Sequence, residues 1–123
     1  MNNIKLYFKN NFKKIDNGVI ILKENDSYAS NFGKQWKKYR DVQIDSLNKF
    51  DISKKFLENI IFNNLNYLKD KSILEIGCGA GRFTEYLVKE SKICISVDLS
   101  EAIFYNIAKN SKNLYLIKSD LMD

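Results

Sequence analysis

The sequence predicts an α/β fold built on a parallel sheet, and three observations in its second half support this prediction. A short apolar run at 73–76 leads directly into a loop that has glycine at every second position. Two further apolar, β-branched runs follow at 93–98 and 114–118, and helix-like patterns at 82–90 and 101–109 separate the three runs. Strands that alternate with helices of this length are typical of βαβ units, whose strands run parallel.

The glycine loop predicts a ligand site. Gly77, Gly79 and Gly81 stand between the first strand and the helix expected from Arg82. Glycine has no Cβ and tolerates positive φ, so such a loop brings bare backbone close to a ligand. The following helix directs its positive end to the same point. A plain tight turn is the alternative, but it would not require three alternate glycines. The pattern therefore favours a nucleotide-cofactor site.

The glycine spacing disfavours two common loops. A dinucleotide-binding loop, G-x-G-x-x-G, would place its third glycine at position 82, where this chain has Arg82. A phosphate-binding P-loop would end in Gly-Lys-Ser/Thr, whereas this loop ends in Gly81-Arg82-Phe83. The remaining pattern is an acid within the strand, Glu75, followed by glycines at 77, 79 and 81.

Two acidic residues follow later strands. Asp98 ends the second strand at the position where a carboxylate binds ribose hydroxyls, roughly 20 residues beyond such a loop. Ser100 is a suitable N-cap for the next helix, which would leave Asp98 free to accept from both hydroxyls. Asp120 follows the third strand, and a surface turn is nearly as good an interpretation for it as a ligand contact.

These motifs, in this order, resemble motif I and the motifs that follow it in class I S-adenosylmethionine-dependent methyltransferases. The resemblance implies a Rossmann-like three-layer sandwich with strand order 3-2-1-4-5-7-6, of which this chain would supply only family strands 1 to 3. It implies S-adenosyl-L-methionine as the cofactor, with its amino-acid and ribose portions over the glycine loop. It also implies the following cofactor-binding residues: Glu75, Gly77, Cys78, Gly79, Gly81, Asp98, Leu99, Asp120 and Leu121.

The chain before the glycine loop divides into two predicted parts. Residues 1–30 form an N-terminal extension, in which 4–8 and 18–22 are a candidate β-pair. Residues 31–71 form a helical lead-in to the partial cofactor domain at 72–123. Apolar residues with a 3.6-residue period predict one helix from Ser53 to Leu68, capped by Asp51 or Ser53.

The lead-in carries a second resemblance. Phe-Gly-Lys-Gln-Trp at 32–36, followed by Gln-Ile-Asp-Ser at 43–46, resembles a segment before motif I in a bacterial methyltransferase subgroup. Its members often accompany surface-polysaccharide or secondary-metabolite pathways, which favours a small-metabolite or glycan acceptor. In this segment Arg40 is a candidate partner of the methionine carboxylate, and packing on the core is the favoured interpretation of Trp36 and Tyr39.

Cysteine usage predicts no metal site. Cys78 and Cys94 are the two cysteines, too few for the zinc ribbon with which many members of that subgroup begin. Cys78 is interpreted as a small filler rather than a nucleophile, because the chain has no histidine that could activate it.

Charge gives a weak indication about partners. The net charge of +5 arises in the first 70 residues, which hold 13 basic and 8 acidic side chains. The lysines are scattered among asparagines with no evident stacking platform, so nucleic acid is an unlikely partner and RNA methylation is not favoured. The sequence has no apolar run of membrane-spanning length and no signal peptide, so we expect no membrane partner and a cytoplasmic location.

The sequence thus predicts the cofactor-binding half of a methyltransferase that acts on a small metabolite or a glycan. No catalytic residue is assigned, and the chain alone is expected not to turn over, since later loops usually supply the base. The alternative is a truncated, non-catalytic methyltransferase-like module. Such a module would act through a partner chain that covers the unpaired edge of family strand 1.

Overall fold

The computed structural model describes residues 14–22, 38–62 and 64–122. In chain order the elements are β1 (Lys14–Asp16), β2 (Val19–Ile21), α1 (Asp45–Asn48), α2 (Ile52–Ile60), a first 3₁₀ helix (Leu65–Leu68), β3 (Ser72–Ile76), α3 (Thr84–Glu90), β4 (Ile93–Asp98), a second 3₁₀ helix (Glu101–Tyr105) and β5 (Leu114–Lys118). The three strands predicted after position 71 agree with β3, β4 and β5 to within one residue. No helix in the described ranges is long and apolar enough to cross a bilayer.

The five strands form one sheet in the order β1-β2-β5-β4-β3. β3, β4 and β5 are parallel neighbours, and their order corresponds to family strands 1, 2 and 3. This arrangement confirms the predicted fold class, a partial class I methyltransferase fold. In the part of the chain that the structure describes, β3 forms the edge of the sheet.

The N-terminal hairpin extends the sheet at its other edge. β2 pairs in parallel with β5 and antiparallel with β1. Asn17 and Gly18 form the hairpin turn with φ of 47° and 80°, as a two-residue type I′ turn requires. The hairpin partner of β2 in the described residues is therefore β1, whereas the predicted partner at 4–8 lies outside the described residues. The divisions of the chain at residues 30 and 71 stay predictions.

All described helices that contact the sheet pack on the same face. α2, α3 and the first 3₁₀ helix contribute Leu57, Leu87, Leu65 and Leu68 to one buried cluster with Cys94 of β4. The second 3₁₀ helix contributes Ile103 to another cluster, with Val19, Cys78 and Leu116. These contacts fix the helices that surround the glycine loop.

The opposite face of β3 is open to solvent. Leu74 and Ile76 are 60% and 57% exposed, although their apolar character predicts burial on both sides of Glu75. Successive side chains of a strand point to opposite faces, so Leu74 and Ile76 lie on the open face and Glu75 lies on the helix-covered face. Farther along the same face, across β2, β4 and β5, Ile20, Val97 and Ile117 form a small buried cluster.

The single helix predicted over 53–68 is wrong, because the chain breaks after α2. Phe62 has φ of 48°, and the first 3₁₀ helix then starts with Asn64, whose side chain accepts from the amide of Asn66 at 2.9 Å. Asp51 occupies the N-cap position of α2, as one of the two predicted caps, but its side chain makes no capping hydrogen bond and instead pairs with Lys55 at 2.9 Å. Ser53 lies within the helix, and its hydroxyl donates to the Gln43 carbonyl.

The predicted helix over 101–109 is replaced by the short second 3₁₀ helix. Ser100 caps it as predicted, by accepting from the amide of Ala102. The side chain of Asn106 accepts from the amide of Ala108 at 3.0 Å. Such a local side-chain bond competes with helical hydrogen bonding, which explains why the helix ends at Tyr105.

Candidate cofactor site

A cavity of about 510 Å³ opens at the carboxyl ends of β3, β4 and β5. Parallel sheets bind ligands at this end of their strands. Five of the nine predicted residues line the cavity: Gly77, Asp98, Leu99, Asp120 and Leu121. Ile76, Val97, Ser100, Ser119 and Met122 complete the lining. We refer to this space as the cofactor cavity.

The glycine loop adopts the backbone for which its sequence is suited. Gly77, Gly79 and Gly81 have φ of 75°, 49° and 98°, all in the left-handed region. The amides of Gly77 and Cys78 both donate to the Val97 carbonyl, at 2.8 and 3.2 Å. The loop is therefore fixed to the end of β4 before any ligand binds.

The Asp98 carboxylate clamps the loop to the turn after β4. One oxygen accepts from the Gly79 amide at 2.7 Å, and the other accepts from the amide and the hydroxyl of Ser100, both at 2.7 Å. The prediction that Ser100 would leave Asp98 free is wrong. A carboxylate has about four acceptor positions, so one remains for a ligand rather than the two expected.

Glu75 lies behind the loop rather than in the cavity. One of its oxygens accepts from the Thr84 hydroxyl of α3 and from the Ser96 hydroxyl of β4, each at 2.7 Å. Burial raises the pKa of the Glu75 carboxyl, the hydrogen bonds from Ser96 and Thr84 oppose the rise, and the charge of Asp98 adds to it. The residue thus joins β3 to β4 and α3 beneath the loop.

Asn106 completes this arrangement, and sequence reasoning missed it. Its side-chain amide donates to the Thr84 hydroxyl at 3.1 Å and to the Gly79 carbonyl at 3.4 Å, and the residue is only 2% exposed. A Cβ added to Gly81 would lie 2.6 Å from its Oδ1 atom. The third glycine therefore lets Asn106 approach the loop. A polar residue in an otherwise helix-like segment gave no sign of this contact.

Cys78 packs into the core beneath the site. Burial raises the pKa of the Cys78 thiol, and the carboxylates of Glu75 and Asp98 raise it further. This disfavours a thiolate and agrees with the interpretation of Cys78 as a filler. Within residues 14–22, 38–62 and 64–122, no cluster of His, Cys, Asp or Glu side chains could hold a metal ion.

The lead-in contacts residues that flank the glycine loop rather than the cofactor cavity. The guanidinium of Arg40 lies 4.4 Å from the ring centre of Tyr105, and its Nε is 3.5 Å from Asp41. Arg40 does not line the cofactor cavity, and Trp36 lies outside the described residues. Arg82 donates to the Ser53 hydroxyl at 2.9 Å, which connects the start of α2 with the end of the loop.

Comparison with known proteins gives one family. A sequence model of the family described as ribosomal RNA adenine dimethylase matches residues 43–123. Ribosomal RNA small subunit methyltransferase A of Ureaplasma parvum serovar 3 is 34% identical over 68 residues, which cover 54% of this chain and 24% of that protein. The enzyme of the same name from Mesomycoplasma hyopneumoniae is 34% identical over 73 residues, or 58% and 26% of the two chains. The chain thus spans about a quarter of these relatives.

Methyltransferases with other names are similar over shorter segments or in structure. Ubiquinone biosynthesis O-methyltransferase of Coxiella burnetii is 44% identical over 43 residues, or 35% of this chain and 18% of that protein. A solved structure of phosphoethanolamine N-methyltransferase 1 from Haemonchus contortus has 25% identity and a TM-score of 0.49, and the match covers 73% of this chain and 21% of that chain. With a TM-score below 0.5, the fold assignment rests on the strand order and the family match.

We expect Gly81→Ala to destabilise the protein more than Gly18→Ala. Both glycines have positive φ, where an alanine costs about 1–2 kcal/mol. Only at Gly81 would the new Cβ also collide with Asn106, which adds roughly 1–3 kcal/mol, whereas Gly18 has open space around it. Urea denaturation measures both free energies of unfolding. Equal losses would contradict the close approach of Asn106 to the loop.

We expect Glu75→Gln to change how stability depends on pH. The native pKa of Glu75 is raised above 4.5, so the folded state holds this proton more tightly than the unfolded state. The resulting stabilisation is fully present below about pH 4.5 and is lost as pH rises through the native pKa. The advantage of wild type over E75Q in free energy of unfolding should therefore shrink from pH 4.5 upward, as measured by urea denaturation. The same trend in E90Q, a control at the end of α3, would contradict this assignment.

Proposed function

The chain belongs to the ribosomal RNA adenine dimethylase family, and from this premise we propose that it is the cofactor-binding part of an enzyme that methylates adenine bases of ribosomal RNA. The observation that carries the proposal is the family match over residues 43–123, which includes the whole glycine loop and the cofactor cavity. We further propose that the protein acts in the cytoplasm, where such an RNA would be available.

Family membership confirms S-adenosylmethionine as the predicted cofactor class. When bound, the cofactor supplies an electrophilic methyl group on its sulfonium, so the protein mainly has to hold the acceptor nitrogen in line with it. In our proposal the remaining acceptor position of Asp98 binds a ribose hydroxyl. Leu99 and Leu121 provide apolar contacts for the adenine ring, and the backbone at Gly77 allows close approach of the cofactor.

The other predicted site residues have supporting roles in this proposal. Glu75 holds the loop from below through Thr84 and Ser96, and Gly79 is fixed by the Asp98 clamp. Asp120 lies in the cavity wall, where its carboxylate could accept from the adenine amino group. No described residue is assigned as a base, and we expect the chain alone not to turn over.

The predicted acceptor class was wrong. The sequence favoured a small metabolite or glycan and made nucleic acid unlikely, but the family match and the Ureaplasma and Mesomycoplasma relatives indicate ribosomal RNA. The acceptor prediction rested on the resemblance of the segment at 32–46 to a methyltransferase subgroup, and neither that segment nor the cofactor motifs decides the acceptor. The matching Coxiella protein is named for ubiquinone biosynthesis, so similar motifs serve different acceptors.

Calorimetric titration tests the cofactor assignment. The wild-type chain should bind S-adenosylhomocysteine saturably and should not bind NAD. Asp98→Ala should weaken S-adenosylhomocysteine binding at least tenfold, because it removes a ligand contact and releases the Gly79 amide from its clamp. Asp16→Ala, on the distant hairpin, is the matched control and should bind as wild type does. Undiminished binding by a folded D98A variant would contradict the role of Asp98.

Fluorescence anisotropy tests the acceptor class. A labelled ribosomal RNA hairpin with unpaired adenines should bind in the presence of S-adenosylhomocysteine. The same hairpin with uracil in place of those adenines should bind at least fivefold more weakly, because a site shaped for adenine leaves its hydrogen-bonding groups unpaired with uracil. Equal affinity for the two hairpins would count against adenine as the target base.

A further inference from the structure

Lysines stand before all three strands of the cofactor domain. Lys71 precedes β3, Lys92 precedes β4, and Lys112 lies two residues before β5. The Lys92 amide donates to the Lys71 carbonyl at 2.9 Å, and the Cys94 amide donates to the Asn113 carbonyl at 2.9 Å. These bonds place the starts of the three strands side by side. The three lysines therefore share the end of the sheet opposite the cofactor cavity.

Two more lysines border the same end. Lys69 lies in the turn before β3, and Lys89 lies in the last turn of α3. Asn113 ties this end of α3 to the start of β5 by donating to the carbonyls of Val88 and Ser91, at 2.8 and 3.0 Å. We define the lysine rim as Lys69, Lys71, Lys89, Lys92 and Lys112.

The lysine rim is exposed and keeps its positive charge available. All five side chains belong to exposed residues, and no salt bridge in the described part of the chain engages them. The acidic residues interspersed with them are Asp70 and Glu90, so five positive charges face two negative ones. This excess is a local positive potential that favours polyanions.

Exposed aromatic rings lie next to the lysine rim. Tyr67 and Phe62 are 54% and 78% exposed, and their ring centres are 5.2 Å apart in an edge-on arrangement. The Nζ atom of Lys71 lies 4.8 Å from the ring centre of Tyr67. Phe62 has a left-handed φ that bulky residues disfavour, and its ring points to solvent rather than into the core. Exposed aromatic rings of this kind are the groups on which proteins stack unpaired bases.

The opposite end of the sheet has more acidic than basic side chains. Asp98 and Asp120 line the cofactor cavity and Glu101 follows close behind, while Lys118, the one lysine at the end of these three strands, is buried. These carboxylates repel the phosphates of an RNA backbone at the cavity mouth, whereas an uncharged base can still enter. The two ends are separated by one strand length, on the order of 15–20 Å for five or six residues. A folded RNA is large enough to reach both.

We propose that the lysine rim, together with Tyr67 and Phe62, is a docking surface for the phosphate backbone and unpaired bases of a structured RNA. This inference rests on the proposed RNA acceptor and goes beyond it by assigning the surface. The rim holds RNA at the amino ends of the strands, while the target base is presented at the carboxyl ends.

Anisotropy with the labelled hairpin tests this surface through two triple variants of equal charge. The rim variant replaces Lys71, Lys92 and Lys112 with glutamine. The control variant replaces Lys49, Lys54 and Lys55, which lie around the start of α2 near Arg82, with glutamine as well. The rim variant should bind at least tenfold more weakly, and its slope of log affinity against log salt should be shallower by roughly 2 to 3. The control should stay within about twofold of wild type.

A stacking variant gives an independent readout. Tyr67→Leu keeps the charge and an apolar side chain but removes the ring, so RNA affinity should fall about fivefold or more with an unchanged salt slope.

If the rim triple variant loses its folded circular dichroism spectrum, the single variants K92E and K112E test the rim instead. Each should weaken RNA binding at least threefold.

Calorimetry with S-adenosylhomocysteine separates the two proposals. Suppose that wild type binds this ligand and that the rim variant loses no more RNA affinity than the control variant does. The rim proposal is then overturned and the cofactor proposal stands. If rim-dependent RNA binding persists in a chain that binds no S-adenosylhomocysteine, the proposed function fails and the docking surface stands. Rim-dependent binding to anionic lipid vesicles, without RNA binding, would also overturn the assignment of RNA.

Discussion

The partly buried carboxyl of Glu75 is the constraint around which the cofactor site is organised. It accepts hydrogen bonds from the hydroxyl groups of Thr84 in α3 and Ser96 in β4. The side-chain amide of Asn106 donates to the Thr84 hydroxyl and to the Gly79 carbonyl. Four segments distant in sequence therefore share one hydrogen-bonded unit. Because an unpaired buried polar group costs about 1–3 kcal/mol, each member holds its neighbours in place.

The site is consequently formed before the cofactor arrives. Asp98 fixes the Gly79 amide from above, and the Val97 carbonyl fixes the start of the loop. A preformed loop does not have to be ordered when the ligand binds, so less of the binding energy is lost. The same groups that would contact a cofactor are thus also structural, and changes at Asp98 act on both functions.

Charge divides the molecule into two ends that the sequence does not separate. Asp98, Asp120 and Glu101 lie near the carboxyl ends of the strands, where the lysine that ends β5 is buried, and the five lysines of the rim outnumber the acidic residues at the amino ends. In the linear chain these residues alternate and nearly cancel, so the charge pattern gave no indication of an RNA partner. Only the parallel register of β3, β4 and β5 sorts them. In our proposal, partner recognition is therefore a property of the folded surface rather than of any motif.

The sequence by itself determined β3, β4 and β5, the glycine loop and the position of Asp98, because apolar strand patterns and positive-φ glycines are local requirements. It did not predict the break after α2, the short second 3₁₀ helix, the exposure of Leu74 or the approach of Asn106 to Gly81. These features depend on side-chain hydrogen bonds and on which sheet face the helices cover. The tertiary structure decided them, since such contacts join residues whose separation in sequence carries no periodic signal.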